Sequence, residues 1–198
     1  MKNDVSDLIL LKSLGVNGRE KKPLILKHVR WIPPISRWLK LNVDGATSGA
    51  PGPASCGGVF HPHRGFVKGR FFHYIGNVFA LEAELWVMIK AIKYVVLHGW
   101  HDIWHESDSS TAVQILRDRS RNVRMISELV ECLLLEDSIS VEVLHVYHEA
   151  NQVADVLFKW EIMEAISSWS FVAPEFCNSF VHVDSRGDVY TRLGKMPF

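Results

Sequence analysis

The chain has 198 residues, 47% of them hydrophobic and 22% charged, and its 22 basic and 22 acidic side chains cancel to a formal net charge of zero. This is the composition of a globular chain with enough apolar material for one core-bearing domain plus flanks, and it excludes wholesale disorder. Neutrality excludes a globally basic nucleic-acid binder, so any such surface has to be local. Cys56, Cys132 and Cys177 show neither CxxC spacing nor even pairing, which points to a reducing compartment and away from structural zinc. Asp4 and Asp7 precede the short apolar run at residues 8–11, a pattern of neither a secretory signal nor a membrane span. An intracellular setting, nuclear or cytoplasmic, and no membrane partner are therefore expected.

In chain order, residues 1–36 read as a linker or tail, with a basic stretch at 19–22 and Pro33-Pro34 before the first strand. Residues 38–45 alternate partly as a strand and deliver Asp44 into a Gly-, Ser- and Pro-rich turn that extends to residue 54. Residues 56–60 form a second strand and 65–74 a third, joined through His61-Pro-His-Arg64. Residues 80–98 form the clearest helix: Leu81, Leu85, Met88, Ile89, Ile92, Val95 and Val96 recur at helical spacing, and Gly99 stops it. A short strand follows at 102–106, then a helix at 109–116 capped by Ser109 or Ser110. The apolar period at 125–135 predicts a further helix, 141–146 a strand, and 151–167 a last helix. The domain is thus expected over 37–167, an α/β fold with a mixed sheet flanked by helices, and residues 168–198 form a C-terminal tail without assignment.

Four carboxylates sit at comparable places in this frame. Asp44 ends the first strand, Glu84 lies in the first turns of the long helix, Asp108 follows the fourth strand, and Asp155 lies one turn into the last helix. Each one alone reads equally as a cap or turn former, with Glu106 beside them as a solvated surface charge. As a set they match what hard divalent cations require, carboxylate oxygens converging from separate elements. Two ions about 4 Å apart clamp the attacking and leaving oxygens of a phosphodiester. Helical geometry leaves Glu82 and Glu84 open, because both lie about equally far from the centre of the apolar face.

The motifs Leu41-Asn-Val-Asp-Gly-Ala46, Gly57-Gly58, Leu81-Glu-Ala-Glu-Leu-Trp86, Trp104-His-Glu-Ser-Asp-Ser109 and the run from His145 to Asp155 resemble the ribonuclease H type 1 domain. The form resembled is the reverse transcriptase-like one of plant non-LTR retroelements, over about residues 36–160. The resemblance implies a five-stranded mixed sheet, three strands antiparallel and two parallel. It also implies magnesium-dependent cleavage of the RNA strand of an RNA–DNA hybrid, with two Mg2+ ions or Mn2+ in their place. By position it carries the catalytic and metal-binding roles to Asp44, Glu84, Asp108 and Asp155, choosing Glu84 over Glu82 because the family's glutamate directly precedes the leucine. His145 takes the auxiliary histidine role, and His148 stands where plant relatives commonly have arginine.

Thr47, Ser48 and Gly49 in the first turn, together with Asn151, are expected to contact nucleic acid, the turn through phosphate and the 2′-OH that marks RNA. Arg117, Arg119, Arg121 and Arg124 form the one dense basic run and are expected at phosphates, a solvated inter-helix loop being the plain alternative. Trp86, Trp100 and Trp104 are expected in the core. Phe158 and Trp160, bulky after Asp155-Val-Leu157, point to the competing reading of a fold retained for nucleic-acid or protein binding without turnover. A 3′–5′ exonuclease of the same superfamily fits the acid pattern less well.

Overall fold

The computed structural model describes residues 9–10, 12–15, 24–118, 139–161 and 167–195. The expected helix at 125–135, Cys132, Arg119, Arg121 and Arg124 lie outside the described residues, as do the side chains of Phe158 and Trp160. Compact units are Val29–Tyr190 and a smaller one formed by Met1–His28 with Thr191–Phe198. Among the described residues no helix is long and apolar enough to cross a membrane.

The larger unit is built on a six-stranded mixed sheet. Its strands are β2 (Leu39–Thr47), β3 (Gly52–His61), β4 (Gly69–Val78), β5 (Asp102–Ser107), β6 (Ser140–His145) and β7 (Ser168–Ser170), in the order β6-β5-β2-β3-β4-β7. β2, β3 and β4 pair antiparallel, while β5 and β6 add in parallel on the other side of β2. The expected mixed sheet is therefore present, with β7 as a sixth strand antiparallel to β4. Its three residues are too few to show a period in the sequence. Trp169 holds it in place, its ring stacked 4.5 Å from Tyr94 and 4.6 Å from His98.

Helix α1 (Ala80–Leu97) covers one face of the sheet: Val87, Ala91 and Val95 pack with Leu39, Leu41, Val43, Phe60 and Ile103. Burying each such side chain contributes about 1.5–3 kcal/mol. Helix α2 (Ser110–Arg117) starts where Ser109 Oγ accepts the Ala112 N–H at 3.3 Å, so Ser109 is the cap. On the opposite face, helix α3 (Gln152–Glu161) sets Val153 and Leu157 against Val59 and against Cys177 from the C-terminal segment. Cys56 and Cys177 are buried and free.

Several expectations need correction. Asp44 does not end its strand, since pairing with β3 continues through Gly45↔Cys56 to Thr47↔Ala54 and shrinks the turn to residues 48–51. The last helix begins at Gln152, not Asn151, after a 3-10 turn at His148–Ala150; it is described as far as Glu161, and residues 162–166 of its expected span lie outside the described residues. Residues 168–190 are structured, carrying β7 and helix α4 (Asn178–Arg186). The N-terminal stretch supplies β1 (Leu24–Arg30), which forms a two-stranded sheet with β8 (Val189–Lys195). Trp31, expected in a tail, is 1% exposed and clusters with Val29 and Ala150. Glu106 is no surface charge: it is 6% exposed and its carboxylate lies 2.8 Å from the ammonium of the equally buried Lys40. Both faces of the central strands are covered, so the polar half of the β2 alternation points into a second buried layer rather than into water.

Candidate active site

The parallel ladder between β2 and β5 stops at Val43↔Ser107. Asp44 and Asp108 are the next residues on the two strands, so strand spacing sets them side by side at about 4.8 Å backbone separation. Glu84 arrives from the first turns of α1, and Gly45 makes that approach possible. A Cβ on Gly45 would lie 2.8 Å from the Ala83 carbonyl carbon and oxygen and 3.0 Å from the Glu84 nitrogen. With a hydrogen there instead, the helix start packs directly on the strand beside Asp44.

One carboxylate oxygen from each of Asp44, Glu84 and Asp108 lies within 4.8 Å of the other two. Glu82 is used elsewhere: its Oε2 accepts the Phe79 N–H at 2.8 Å and closes the helix N-terminus. Glu84 instead accepts from Ser107 Oγ at 3.4 Å, and Ser107 Oγ in turn accepts the Ser109 N–H at 3.1 Å. Burial, then the charges of Asp44 and Asp108, pushes the Glu84 carboxyl up to about 9. Burial, then Asp108 and Asp155, raises Asp44 to about 6. Carboxyls crowded enough to hold protons near neutral pH, with only hard oxygen donors converging, form a donor set that fits a divalent cation.

Asp155 is outside the three-acid group but near enough to act on Asp44, and His148 links it to the cluster. The His148 ring lies with Nδ1 2.9 Å from Asp108 Oδ2 and Nε2 3.9 Å from Asp155 Oδ2. His145 is placed differently, exposed at the end of β6 with its ring edge-on to Tyr147 at 5.6 Å. The auxiliary role expected at His145 is therefore better matched geometrically by His148. Spacing in the sequence does not separate the two; the 3-10 turn that swings His148 back over Asp108 does.

Of the expected nucleic-acid contacts, Ser48 and Gly49 are exposed at the β2–β3 turn, where Thr47 Oγ1 donates to the Gly49 carbonyl. Arg117 lies at the end of α2 and donates through Nε to the Val143 carbonyl at 2.8 Å, tying the helix to β6. Asn151 is buried: its side-chain nitrogen donates to the Val43 carbonyl at 2.8 Å, and its backbone carbonyl accepts the Asp155 N–H at 3.1 Å. Lys40, Asn42, Glu106 and Trp31, which the sequence did not single out as site residues, form a polar layer directly behind the acids. Trp86, Trp100 and Trp104 are partly buried, Trp100 packing its edge on Phe60 at 4.8 Å.

A mixed sheet of this strand order, with one acid within β2 and another just past the end of the adjacent β5, defines a ribonuclease H-like domain. The chain belongs to the reverse transcriptase-like family, whose model matches residues 42–161. A protein of Arabidopsis thaliana named, provisionally, as a ribonuclease H protein is 31% identical over 178 residues, covering 86% of this chain. The chain spans about a quarter of that relative, 28% of its length. Among solved structures, the ribonuclease H1 of the archaeon Halobacterium salinarum superposes with a TM-score of 0.57 at 25% identity, over 65% of this chain and 99% of that one. LC11-RNase H1, a compost metagenome protein solved in complex with an RNA/DNA hybrid, superposes with the same TM-score of 0.57 at 21% identity, over 64% of this chain and 98% of its own.

Proposed function

We propose that this domain is a divalent-metal-dependent endoribonuclease that hydrolyses the RNA strand of an RNA–DNA hybrid. The observation that carries this reading is the convergence of Asp44, Glu84 and Asp108 oxygens within 4.8 Å, in a chain of this family. Asp44, Glu84 and Asp108 hold the cation, Mg2+ or Mn2+, and Asp155 lies beside them to complete a site for two ions. When bound, the ions supply positive charge to the scissile phosphate. The chain itself contributes the remaining parts. His148, between Asp108 and Asp155, is placed to hold and pass a proton at Nε2. The exposed turn at Ser48 and Gly49, which follows the strand that carries Asp44, offers its polar groups to phosphate and 2′-OH, the Ser48 N–H itself being held by the Pro53 carbonyl at 2.9 Å. The family match also favours a retroelement origin.

The test is cleavage of an end-labelled RNA–DNA hybrid with Mg2+ or Mn2+ beside an Asp44→Asn control. Cleavage by the wild type alone, leaving 5′-phosphate and 3′-hydroxyl ends, is expected. An uncut hybrid with either metal would reject the reading and leave a fold that binds nucleic acid or protein without turnover.

A further inference from the structure

Behind the acids, on the face of the sheet opposite α1, the described residues form a connected line of buried polar groups. Lys40 is 1% exposed, its ammonium 2.8 Å from Glu106 Oε1 and 4.7 and 4.5 Å from the ring centroids of Trp31 and Trp104. The other Glu106 oxygen accepts from Asn42 Nδ2 at 3.1 Å, and Asn42 Oδ1 accepts the Trp31 indole N–H at 2.9 Å. Asn42 Nδ2 also donates to Asn151 Oδ1 at 3.1 Å. Asn151 Nδ2 then holds the Val43 carbonyl, one residue before Asp44, while its backbone carbonyl holds the Asp155 N–H.

We infer that Asn42 is a positioning residue for the acid cluster, acting through Asn151, with Trp31 and the Lys40–Glu106 pair setting its orientation. The chemistry of its partners permits one amide orientation only. An indole N–H donates and never accepts, so it selects the Asn42 oxygen; an ionised carboxylate accepts and never donates, so it selects the nitrogen. With Asn42 so oriented, Asn151 presents its oxygen to Asn42 and its nitrogen to Val43. The strand end that carries Asp44 and the helix start that carries Asp155 are thereby tied through one side chain. A buried ion pair adds little net stability compared with apolar packing of the same volume. Its consequence here is the fixed acceptor it offers Asn42. Of these groups, Asn42, Glu106 and Asn151 lie within the stretch the family model matches, and Trp31 and Lys40 precede it.

This inference rests on the metal-dependent reading above, and its test separates the two. Mn2+ is titrated calorimetrically into the full chain at a temperature where circular dichroism shows every variant folded, with hybrid cleavage and thermal unfolding measured in parallel. Asn42→Leu is expected to weaken Mn2+ binding about 10–100-fold, the effect typical of losing a group that orients metal ligands. Val95→Ala, a core truncation eleven residues along α1 from Glu84, is expected to lower the unfolding temperature and leave Mn2+ affinity unchanged. Lys40→Met alone is expected to weaken binding, because it leaves Glu106 as an unpaired buried charge. Lys40→Met with Glu106→Gln, which removes both charges and keeps an acceptor for Asn42, is expected to restore most of it. Wild-type affinity in Asn42→Leu, or an equal loss in Val95→Ala, overturns the positioning role. A wild type that binds Mn2+ but leaves the hybrid intact rejects the substrate reading and keeps this test decisive; a wild type that binds no Mn2+ rejects both.

Discussion

Gly45→Ala probes the contact that brings Glu84 to Asp44. The added methyl would sit 2.8 Å from backbone atoms of Ala83 and 3.0 Å from the Glu84 nitrogen, where ordinary contact starts at 3.4 Å. Neither obstacle is the end of a flexible side chain, so the start of α1 has to retreat from β2 by about half an ångström or more. Overpacking of this kind costs about 1–3 kcal/mol, which for a chain of this length lowers Tm by on the order of 5 °C. The larger effect is local: Glu84 moves with its helix and the three-acid group opens. Misplacing a catalytic group by about 1 Å costs on the order of 100-fold in rate, so a shift of half that size should lower hybrid cleavage at least about tenfold. The assay is the initial cleavage rate at 25 °C across a Mg2+ titration, with Tm recorded alongside. A higher Mg2+ midpoint together with a lower rate is expected. Full activity and an unchanged Mg2+ midpoint in Gly45→Ala would refute the claim that this glycine sets the Glu84–Asp44 distance.

Glu84→Gln should remove most cleavage and weaken Mn2+ binding in calorimetry. Glu82→Gln keeps an oxygen to accept the Phe79 N–H, so it should cost little stability and leave the rate near wild type; the reverse order of damage would show that the register of the site is wrong. His148→Ala should lower kcat well below that of His145→Ala at saturating hybrid, since only His148 contacts Asp108; equal rates in the two variants would deny it the proton-transfer role. Metal-free stability should fall as pH rises above 7. With its folded pKa raised to about 9, Glu84 keeps a proton that the unfolded carboxyl, near 4.5, has lost, so between those values folding binds the extra proton. The cost approaches about 1.4 kcal/mol per pH unit. Tm of the chelator-treated chain between pH 7 and 8.5 reads it, and Glu84→Gln should flatten the slope to the smaller contribution of Asp184, raised to about 7 by burial. Identical slopes in wild type and variant would refute the assignment.

The order of elements from β2 to α3 was legible from sequence because the longer strands and helices declare their period locally, whereas β7 is too short to show one and α4 lies in a stretch without a sequence assignment. Leu39, Leu41 and Val43 alternate, Leu85 to Val95 recur at helical spacing, and Ser109 announces a helix start by its own chemistry. The same local signals placed Glu84 in the first turns of α1, Asp108 after β5 and Asp155 one turn into α3, but not Asp44, whose strand runs on to Thr47. What the local period leaves open, and the tertiary structure shows, is which of two similar neighbours meets the acids, although for the glutamates the resemblance already chooses Glu84. Glu82 and Glu84 are equivalent on a helical wheel, and only the free Phe79 N–H draws Glu82 away to the helix end. His145 and His148 are equivalent by spacing, and only the 3-10 turn carries the second ring to Asp108. Lys40 and Glu106 look like solvated charges in sequence, and become a buried pair because residues far away in the chain, Trp31 and those of α3, close the second face of the sheet. Periodicity records how a segment contacts the core nearest to it. It carries no record of which distant segment will cover the other side, and in this chain that second cover is what surrounds and orients the candidate site.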